Sequence, residues 1–122
     1  MPRVIRFDLG VDQPERAIKF YSGIFGWQIE KLQGVPDYWV ISTGEVGQPG
    51  IDGGLVKRRH TTDGTTCTIE VSSVDESLKK ITLHGGKNLT GKTTLPGVGY
   101  CAYCQDTEGN IFVVFELDQQ AQ

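Results

Sequence analysis

The sequence has few of the residues that mark disulfide-linked or membrane-spanning proteins. Its 122 residues include only three cysteines, and no apolar run approaches the length of a bilayer-spanning helix. An odd and sparse cysteine count does not suit a disulfide framework, so we expect a reduced, cytoplasmic protein. A membrane span needs about 20 apolar residues, and a secretory signal needs a shorter apolar stretch near the start. The sequence therefore predicts neither a membrane segment nor a signal peptide.

Strong positive charge is also missing. The chain has 12 Lys and Arg against 15 Asp and Glu, for a formal net charge of −3. Because nucleic-acid binding depends on a basic surface, nucleic acid is not expected as the main partner. Apolar residues make up 38% and charged residues 22% of the chain, which is typical of a folded globular protein. The length predicts a single domain over residues 1–122.

The most strongly patterned stretch covers residues 11–27 and predicts an amphipathic helix. Apolar side chains recur there at the spacing of one helix face, and we expect this face to lie on a sheet: Ala17, Phe20, Tyr21, Ile24 and Phe25. Asp12 and Glu15 have the spacing of a capping box, and Pro14 suits the first turn. Gly26 stands where a left-handed C-terminal cap is expected.

A second copy of this pattern begins about half a chain later. Ser73 and Glu76 form another capping box, and the apolar stripe of residues 73–86 ends at two glycines. Two supersecondary units are therefore predicted, about 3–57 and 66–117, joined by a linker at about 58–65. Each unit reads β-α-β-β-β. The predicted strands are 3–10, 27–32, 38–42 and 51–56, then 67–72, a strand within 87–95, 100–104 and 111–117, and the tail 119–122 is expected to fray.

Three segments carry a resemblance to a known family: VDQPERAIKFYSGIFGW, GIDGGL and GVGYCAYCQDTEGNIFVV. Over about residues 3–117 the chain resembles the glyoxalase/bleomycin resistance/dioxygenase superfamily, also called vicinal oxygen chelate. The resemblance implies an α+β fold in which two βαβββ modules form a concave mixed sheet, often in a dimer. It does not fix a reaction, because the superfamily includes lyases, isomerases, dioxygenases, epimerases and drug-binding proteins.

The resemblance also implies a divalent metal held by His, Gln or Glu side chains on inward-facing strand positions. Offsets from the motifs place these positions at Arg6, near Gly54, at Thr68 (or Thr66 in another register) and at Val113. Arginine is permanently protonated, glycine and valine offer no side-chain donor, and threonine is a poor ligand. The two histidines, His60 and His84, fall in the linker and at a helix end. We therefore expect no metal and no cofactor.

Arg6 at such a position has two interpretations. It forms a structural ion pair with Asp8 or Glu70, or it binds an anionic small molecule. Tyr38, Tyr100 and several candidate residues could offer aromatic walls to a ligand, although core packing is the expected role of most of these aromatics. The candidate ligand-binding residues are Arg6, Asp8, Trp39, Gly54, Thr68, Glu70, Tyr103, Val113 and Phe115. Glu70 and Asp8 are weak candidates for a general base, whose pKa burial would raise.

Three functions remain open at this point. The first is metal-independent binding of a small molecule, as in bleomycin-resistance-like sequestration. The second is a lyase, isomerase or dioxygenase of the superfamily, and the third is an interaction module with a filled interior. The edge strands of two half-sheets favour a homodimer in each case.

Two short motifs match known functional patterns, but the residues around them do not support those functions. Residues 86–93, GKNLTGKT, match a phosphate-binding loop, but a helix precedes them, and the residues that follow include Pro96, Gly97 and Gly99, which disfavour a helix. Cys101 and Cys104 are three residues apart on a predicted strand, so their side chains point to opposite faces. Neither motif predicts nucleotide hydrolysis, zinc binding or redox chemistry.

Overall fold

The computed structural model describes residues 2–58 and 64–122. The chain divides into two compact units, which we call the N-terminal unit (Arg6–Thr65) and the C-terminal unit (Met1–Ile5 with Thr66–Gln122). Helices are few and the strands pair in both directions, so the predicted α+β class is confirmed. Within the described residues, neither helix is long and apolar enough to cross a bilayer. The elements are β1 (Arg3–Val11), α1 (Pro14–Phe25), β2 (Gln28–Lys31), β3 (Tyr38–Ser42), β4 (Gly53–Lys57), β5 (Thr65–Glu70), α2 (Val74–Leu83), β6 (Lys87–Asn88), β7 (Thr93–Leu95), β8 (Gly99–Gln105) and β9 (Ile111–Leu117).

The N-terminal unit contains a four-stranded arrangement in the order β2-β3-β4-β1. Strand β1 runs parallel to β4, with Asp8 opposite Gly54, whereas β2, β3 and β4 are antiparallel. Parallel pairing of β1 and β4 requires a long connection between them, and α1, β2 and β3 provide it. Helix α1 contacts β2 and β4.

The ends of α1 agree only in part with the prediction. Pro14 begins the helix, and Gly26 ends it in the left-handed region (φ 72°), with its N–H donating to the Ser22 carbonyl at 3.0 Å. The predicted Asp12 capping box is wrong, because the N-cap is Gln13 and it makes no side-chain cap hydrogen bond. The Asp12 carboxylate lies 3.5 Å from Nη1 of Arg58 instead.

The predicted packing face of α1 is right for Ala17 and Tyr21, which are half-buried, and wrong for its other three members. Phe20, Ile24 and Phe25 are 56%, 57% and 59% exposed, whereas the half-buried side includes Ile18 and Tyr21. An aromatic stack accounts for this orientation of α1. The Tyr21 ring lies 5.3 Å from the Trp27 ring at an interplanar angle of 4°, so Trp27, just beyond the helix, fixes which side of α1 turns inward.

The C-terminal unit repeats this order of elements with one strand divided. Strand β5 runs parallel to β9, β9 is antiparallel to β8, and both β6 and β7 pair with β8. The strand predicted within 87–95 is two short strands, since a turn intervenes in which the Gly91 N–H donates to Asn88 Oδ1 at 2.8 Å.

Helix α2 begins with the predicted cap and covers the core of this unit. Ser73 Oγ accepts from the Glu76 N–H at 3.1 Å, and Glu116 Oε1 accepts from the Val74 N–H at 2.9 Å. Two N–H groups at the start of α2 are thereby satisfied by side chains. The core cluster beneath the helix consists of Val74, Ala102, Cys104 and Val114, with Leu78 and Ile81 packed against it.

The end of the chain is ordered rather than frayed. Ala121 is only 2% exposed, and its carbonyl accepts from the Gly97 N–H at 3.0 Å. The Asp118 N–H donates to the Val98 carbonyl at 2.9 Å. The predicted fraying is therefore wrong for Ala121. Residues 59–63 of the predicted linker, including His60, lie outside the described residues.

Candidate functional site

Strand β1 presents polar side chains on one of its faces. Phe7 lies on the opposite face, where its ring packs 6.2 Å from that of Trp27, and alternation along the strand places Arg6 and Asp8 together on the other side. The Asp8 side chain is 13% exposed and the Arg6 side chain 37%. Two opposite charges therefore share a largely buried strand face, where they require partners.

Tyr38 on β3 provides the link between these charges. Its hydroxyl donates to Asp8 Oδ1 at 2.9 Å and accepts a hydrogen bond from Arg6 Nη2. Arg6 Nη2 itself lies 3.9 Å from Asp8 Oδ1, which is an ion-pair distance too long for a direct hydrogen bond. The three groups form a hydrogen-bonded chain, with Tyr38 in the middle, and the guanidinium also lies 5.8 Å from the centre of the Tyr38 ring.

Gly54 on β4 makes room for this chain. A Cβ atom added at Gly54 would overlap the Tyr38 hydroxyl and Asp8 Oδ1. Gly54 pairs with Asp8 on one side and with Val40 on the other. Gly54 therefore allows a close approach, and the group that approaches is the tyrosine hydroxyl.

The environment raises the pKa of Asp8 above its ordinary value of 3.8. Burial is the largest cause, because it disfavours the charged carboxylate, while the hydrogen bond from Tyr38 and the charge of Arg6 act in the opposite direction. Asp8 is therefore a carboxyl group that is costly to ionise and whose charged form has two stabilising partners. Such a group can accept a proton more readily than an exposed aspartate.

Trp39 lies away from this cluster. It pairs with Leu55, and Leu55 pairs with Leu9, so strand alternation places Trp39 on the opposite face from Asp8. The Lys31 ammonium lies 5.3 Å from the centre of its ring. Trp39 borders an open groove of about 620 Å³ in the N-terminal unit, which is also lined by Asp12, Gln13, Pro14, Glu15, Arg16, Lys19, Asp37 and Lys57.

The remaining candidates lie on one face of the C-terminal unit. Thr68 pairs with Val113, and Val113 pairs with Tyr103 across the neighbouring strand. Thr68 and Val113 are each 5% exposed, whereas Tyr103 is 39% exposed. Two residues further along, Glu70 pairs with Phe115. These five side chains lie on one face of the sheet. Ala102, Cys104 and Val114 lie on the opposite face, where they pack under α2.

Comparison with known proteins decides the family. The family model of the Glyoxalase/Bleomycin resistance protein/Dioxygenase superfamily matches residues 3–114. The chain belongs to this superfamily. No curated protein matches the chain in sequence.

Solved structures share this fold at low sequence identity. One is a superfamily member from Vibrio splendidus 12B01, with 11% identity, a TM-score of 0.67 and coverage of 95% of this chain and 99% of that one. Another is a methylmalonyl-CoA epimerase in complex with methylmalonyl-CoA and NH4+ (10% identity, TM-score 0.70, coverage 100% and 99%). A third is methylmalonyl-CoA epimerase from Mycobacterium tuberculosis (13% identity, TM-score 0.65, coverage 94% and 87%). At these identities the similarity establishes the fold alone.

A divalent metal, which superfamily membership implies, does not fit the side chains at the four positions where the resemblance places its ligands. Arg6 is cationic, Gly54 and Val113 lack donors, and Thr68 offers only a hydroxyl. Across residues 2–58 and 64–122, no three His, Cys, Asp or Glu side chains come together as a metal-binding group. His84, at the end of α2, has its Nδ1 2.8 Å from the Lys80 carbonyl.

The two short motifs do not form catalytic sites. The GKNLTGKT segment is followed by strand β7 rather than a helix, so it lacks the helix N-terminus that binds phosphate in nucleotide-binding loops. Cys104 is buried in the core beneath α2, whereas Cys101 pairs with Phe115 on the opposite face, and both are free thiols. Burial raises the pKa of both thiols, which makes them less reactive.

Sequence reasoning missed the role of Tyr38. It treated this residue as one of several aromatic walls, although Tyr38 connects the two charged groups of the site. The alternation of β3 contained the signal, because Tyr38 and Val40 share a face, and Val40 pairs with Gly54. Recognising it required the register between β1, β3 and β4, which the sequence does not show.

Proposed function

We propose that this superfamily member binds a small anionic molecule without a metal ion, through the face that carries Arg6, Tyr38 and Asp8. The observation that carries the proposal is the state of Arg6: its guanidinium is partly exposed, yet the Tyr38 hydroxyl fixes its position. A permanently charged guanidinium has several N–H donors, and it pairs well with planar carboxylate and phosphate groups.

The long distance between Arg6 and Asp8 supports this proposal. At 3.9 Å the Asp8 carboxylate accepts no direct hydrogen bond from this N–H group of the Arg6 guanidinium, because the Tyr38 hydroxyl stands between them. An incoming anion would complete the hydrogen bonding of Arg6, while Asp8 keeps its bond from Tyr38. We place this activity in the reducing cytoplasm, in keeping with the three free cysteines. Sequestration of the ligand, in the manner of bleomycin resistance proteins, is the simplest role for such a site.

Calorimetric titration with benzoate, inorganic phosphate and neutral benzamide tests the proposal. Benzoate or phosphate should bind in the presence of EDTA, benzamide should not, and Arg6→Gln should remove the binding. Arg3→Gln is the matched control, because Arg3 is an exposed arginine on the same strand. If neither anion binds, or if both arginine variants bind equally well, the proposal fails.

Proton transfer is a second candidate, favoured by the raised pKa of Asp8. A carboxylate in contact with a tyrosine hydroxyl can abstract a proton next to a carbonyl group, and two structures with this fold are methylmalonyl-CoA epimerases. Incubation with methylmalonyl-CoA in deuterated water would then incorporate deuterium, and Asp8→Asn would abolish this exchange. The other carboxylate, Glu70, lies at an exposed position, so Glu70→Gln serves as the control. An absence of exchange by the wild-type protein would exclude this candidate for methylmalonyl-CoA.

A further inference from the structure

The Asp8 carboxylate has one oxygen whose hydrogen bonding is incomplete. Its Oδ1 accepts from the Tyr38 hydroxyl at 2.9 Å, but no described residue donates to Oδ2. An ionised carboxylate is an acceptor at both oxygens. Within residues 2–58 and 64–122, no buried side-chain nitrogen or oxygen lacks a partner, so Oδ2 is open to solvent rather than sealed in the interior. Asp8 therefore offers a free acceptor on the face that carries Arg6.

Arg6 has unused donors beside this acceptor. Its Nη2 donates to the Tyr38 hydroxyl, and the other N–H groups of the guanidinium donate to no described residue. The Arg6 side chain is also the more exposed of the two, at 37% against 13% for Asp8. Nη2 of Arg6 and Oδ1 of Asp8 lie only 3.9 Å apart. Free donors with a positive charge and a free acceptor with a negative charge therefore lie side by side.

Tyr38 does not supply the donor that Asp8 Oδ2 lacks. A tyrosine hydroxyl has one proton, and in Tyr38 this proton is donated to Oδ1 of Asp8. An anion bound at Arg6 would place a second negative charge next to Asp8. A simple anion would also leave Oδ2 without a donor in a partly buried site, which is costly for a charged group. A ligand that brings its own donor removes this cost with a charge-assisted hydrogen bond.

An apolar side chain borders the same face. Val40 pairs with Gly54, and Gly54 pairs with Asp8, so the side chains of Val40 and Asp8 point to the same side of the sheet. Val40 is 36% exposed. A hydrocarbon group of a ligand can therefore lie against Val40 while its polar end reaches Arg6 and Asp8. This arrangement favours an organic anion over an inorganic one.

We infer that the site selects organic anions that carry a hydrogen-bond donor next to the charged group, of which α-hydroxy carboxylates are the simplest. The ligand carboxylate pairs with the Arg6 guanidinium, and the ligand hydroxyl donates to Oδ2 of Asp8. This inference rests on the proposed binding of anions at Arg6 and adds the class of anion. A site that hydrogen-bonds a ligand hydroxyl discriminates against an analogue without it, because a polar group of the site is then left unpaired.

Three ligands of similar size test this selection by calorimetric titration in the presence of EDTA. Mandelate has a hydroxyl donor next to its carboxylate, phenylacetate lacks it, and phenylglyoxylate has a carbonyl acceptor there instead. At mildly alkaline pH, which favours the carboxylate form of Asp8, mandelate should bind about tenfold or more tightly than phenylacetate. Phenylglyoxylate should bind most weakly, because its carbonyl oxygen would face the carboxylate. Equal binding of mandelate and phenylacetate would overturn this inference and leave anion binding intact, whereas no binding of any of the three would overturn both.

The Asp8→Asn variant gives the decisive measurement. The asparagine oxygen can accept from Tyr38 as Oδ1 does, which leaves an N–H donor in place of Oδ2. The ratio of mandelate affinity to phenylglyoxylate affinity should then fall about tenfold or more, even if the loss of charge strengthens the binding of both. Asp12→Asn is the matched control, since Asp12 also lies near an arginine, 3.5 Å from Arg58; it should keep the wild-type ratio. Circular dichroism checks the fold of each variant, and a folded Asp8→Asn protein with the wild-type ratio would overturn the inference.

Discussion

The Tyr38 hydroxyl lies in the space that any side chain at Gly54 would need. The superfamily resemblance places a metal-ligand position near Gly54, and here a tyrosine from the neighbouring strand enters that volume and connects Arg6 to Asp8. An uncharged hydroxyl and a guanidinium thus stand where the resemblance leads one to expect donors for a cation. This replacement leads to the first prediction.

Gly54→Ala should destabilise the protein by about 1–3 kcal/mol, because the added methyl group must displace Tyr38 or Asp8. Urea denaturation at neutral pH measures the effect. In a Tyr38→Leu background, which removes the far end of the ring, the same substitution should cost much less. Gly64→Ala is the control and should be near neutral, since a Cβ there meets nothing within 4 Å. Equal effects at positions 54 and 64 would contradict the packing described for Tyr38.

The raised pKa of Asp8 predicts a specific pH dependence of stability. Since the folded pKa lies above the ordinary value of 3.8, the folded state binds more protons than the unfolded state between the two values. The contribution of Asp8 to stability is therefore fully present below pH 3.8 and is lost as the pH rises through the folded pKa. The stability of the wild type relative to Asp8→Asn should fall over this interval in urea denaturation.

Asp106 provides a comparison of opposite sign. The side chain and backbone of Asn110 and the Glu108 N–H donate to its carboxylate, and these bonds lower its pKa. Its contribution is present above pH 3.8 and is lost as the pH falls. The stability of the wild type relative to Asp106→Asn should therefore rise with pH over the acidic range. Parallel trends for the two variants would refute the pKa shift of Asp8.

The poor fit of the donor set predicts that purified protein holds no stoichiometric divalent metal. After incubation with Ni²⁺ or Zn²⁺ and removal of free ions, elemental analysis should find well below one equivalent. EDTA should leave the thermal midpoint unchanged, because we expect no bound ion to contribute to folding. A tightly held single equivalent would show that donors beyond those we consider complete a metal site.

The bare N-cap of α1 predicts a stabilising substitution. Gln13 has the extended backbone of an N-cap (φ −123°, ψ 94°) but makes no side-chain cap hydrogen bond. Gln13→Ser should raise the free energy of unfolding by about 0.5–1 kcal/mol, since serine accepts from an N–H of the first turn. Ser73→Ala, which removes the existing cap of α2, should lower it by about 1 kcal/mol. Thermal or urea denaturation compares the two, and a loss of stability in Gln13→Ser would be the contrary result.

Local patterns predicted the elements well because their causes are local. Gly26 and Ser73 fulfil their predicted caps, and the strands 38–42 and 111–117 match their predicted bounds. Each of these features depends on residues a few positions apart, through backbone conformation or alternation. A local pattern nevertheless fails where a distant group competes. Asp12 has capping spacing, but Arg58, 46 positions later, engages its carboxylate.

The predictions that failed depended on contacts between distant parts of the chain. The side of α1 that turns inward is set by the stacking of Tyr21 on Trp27, which helical periodicity does not reveal. The order of the tail follows from a hydrogen bond between Gly97 and Ala121. At the candidate site, the sequence pointed to Arg6 because the superfamily resemblance places a metal-ligand position there, and to Asp8 because it shares that strand face. The role of Tyr38 was missed because it depends on the register of three strands.

The positions of the two tryptophans provide the chain with two separate optical reporters. Trp27 stacks on Tyr21 of α1, whereas Trp39 lies near the Lys31 ammonium at the edge of the groove. In Trp39→Phe the remaining emission comes from Trp27 and reports on the packing of α1. In Trp27→Phe it comes from Trp39 and reports on the groove. Intrinsic fluorescence can therefore locate where an added compound acts, with no label attached to the chain.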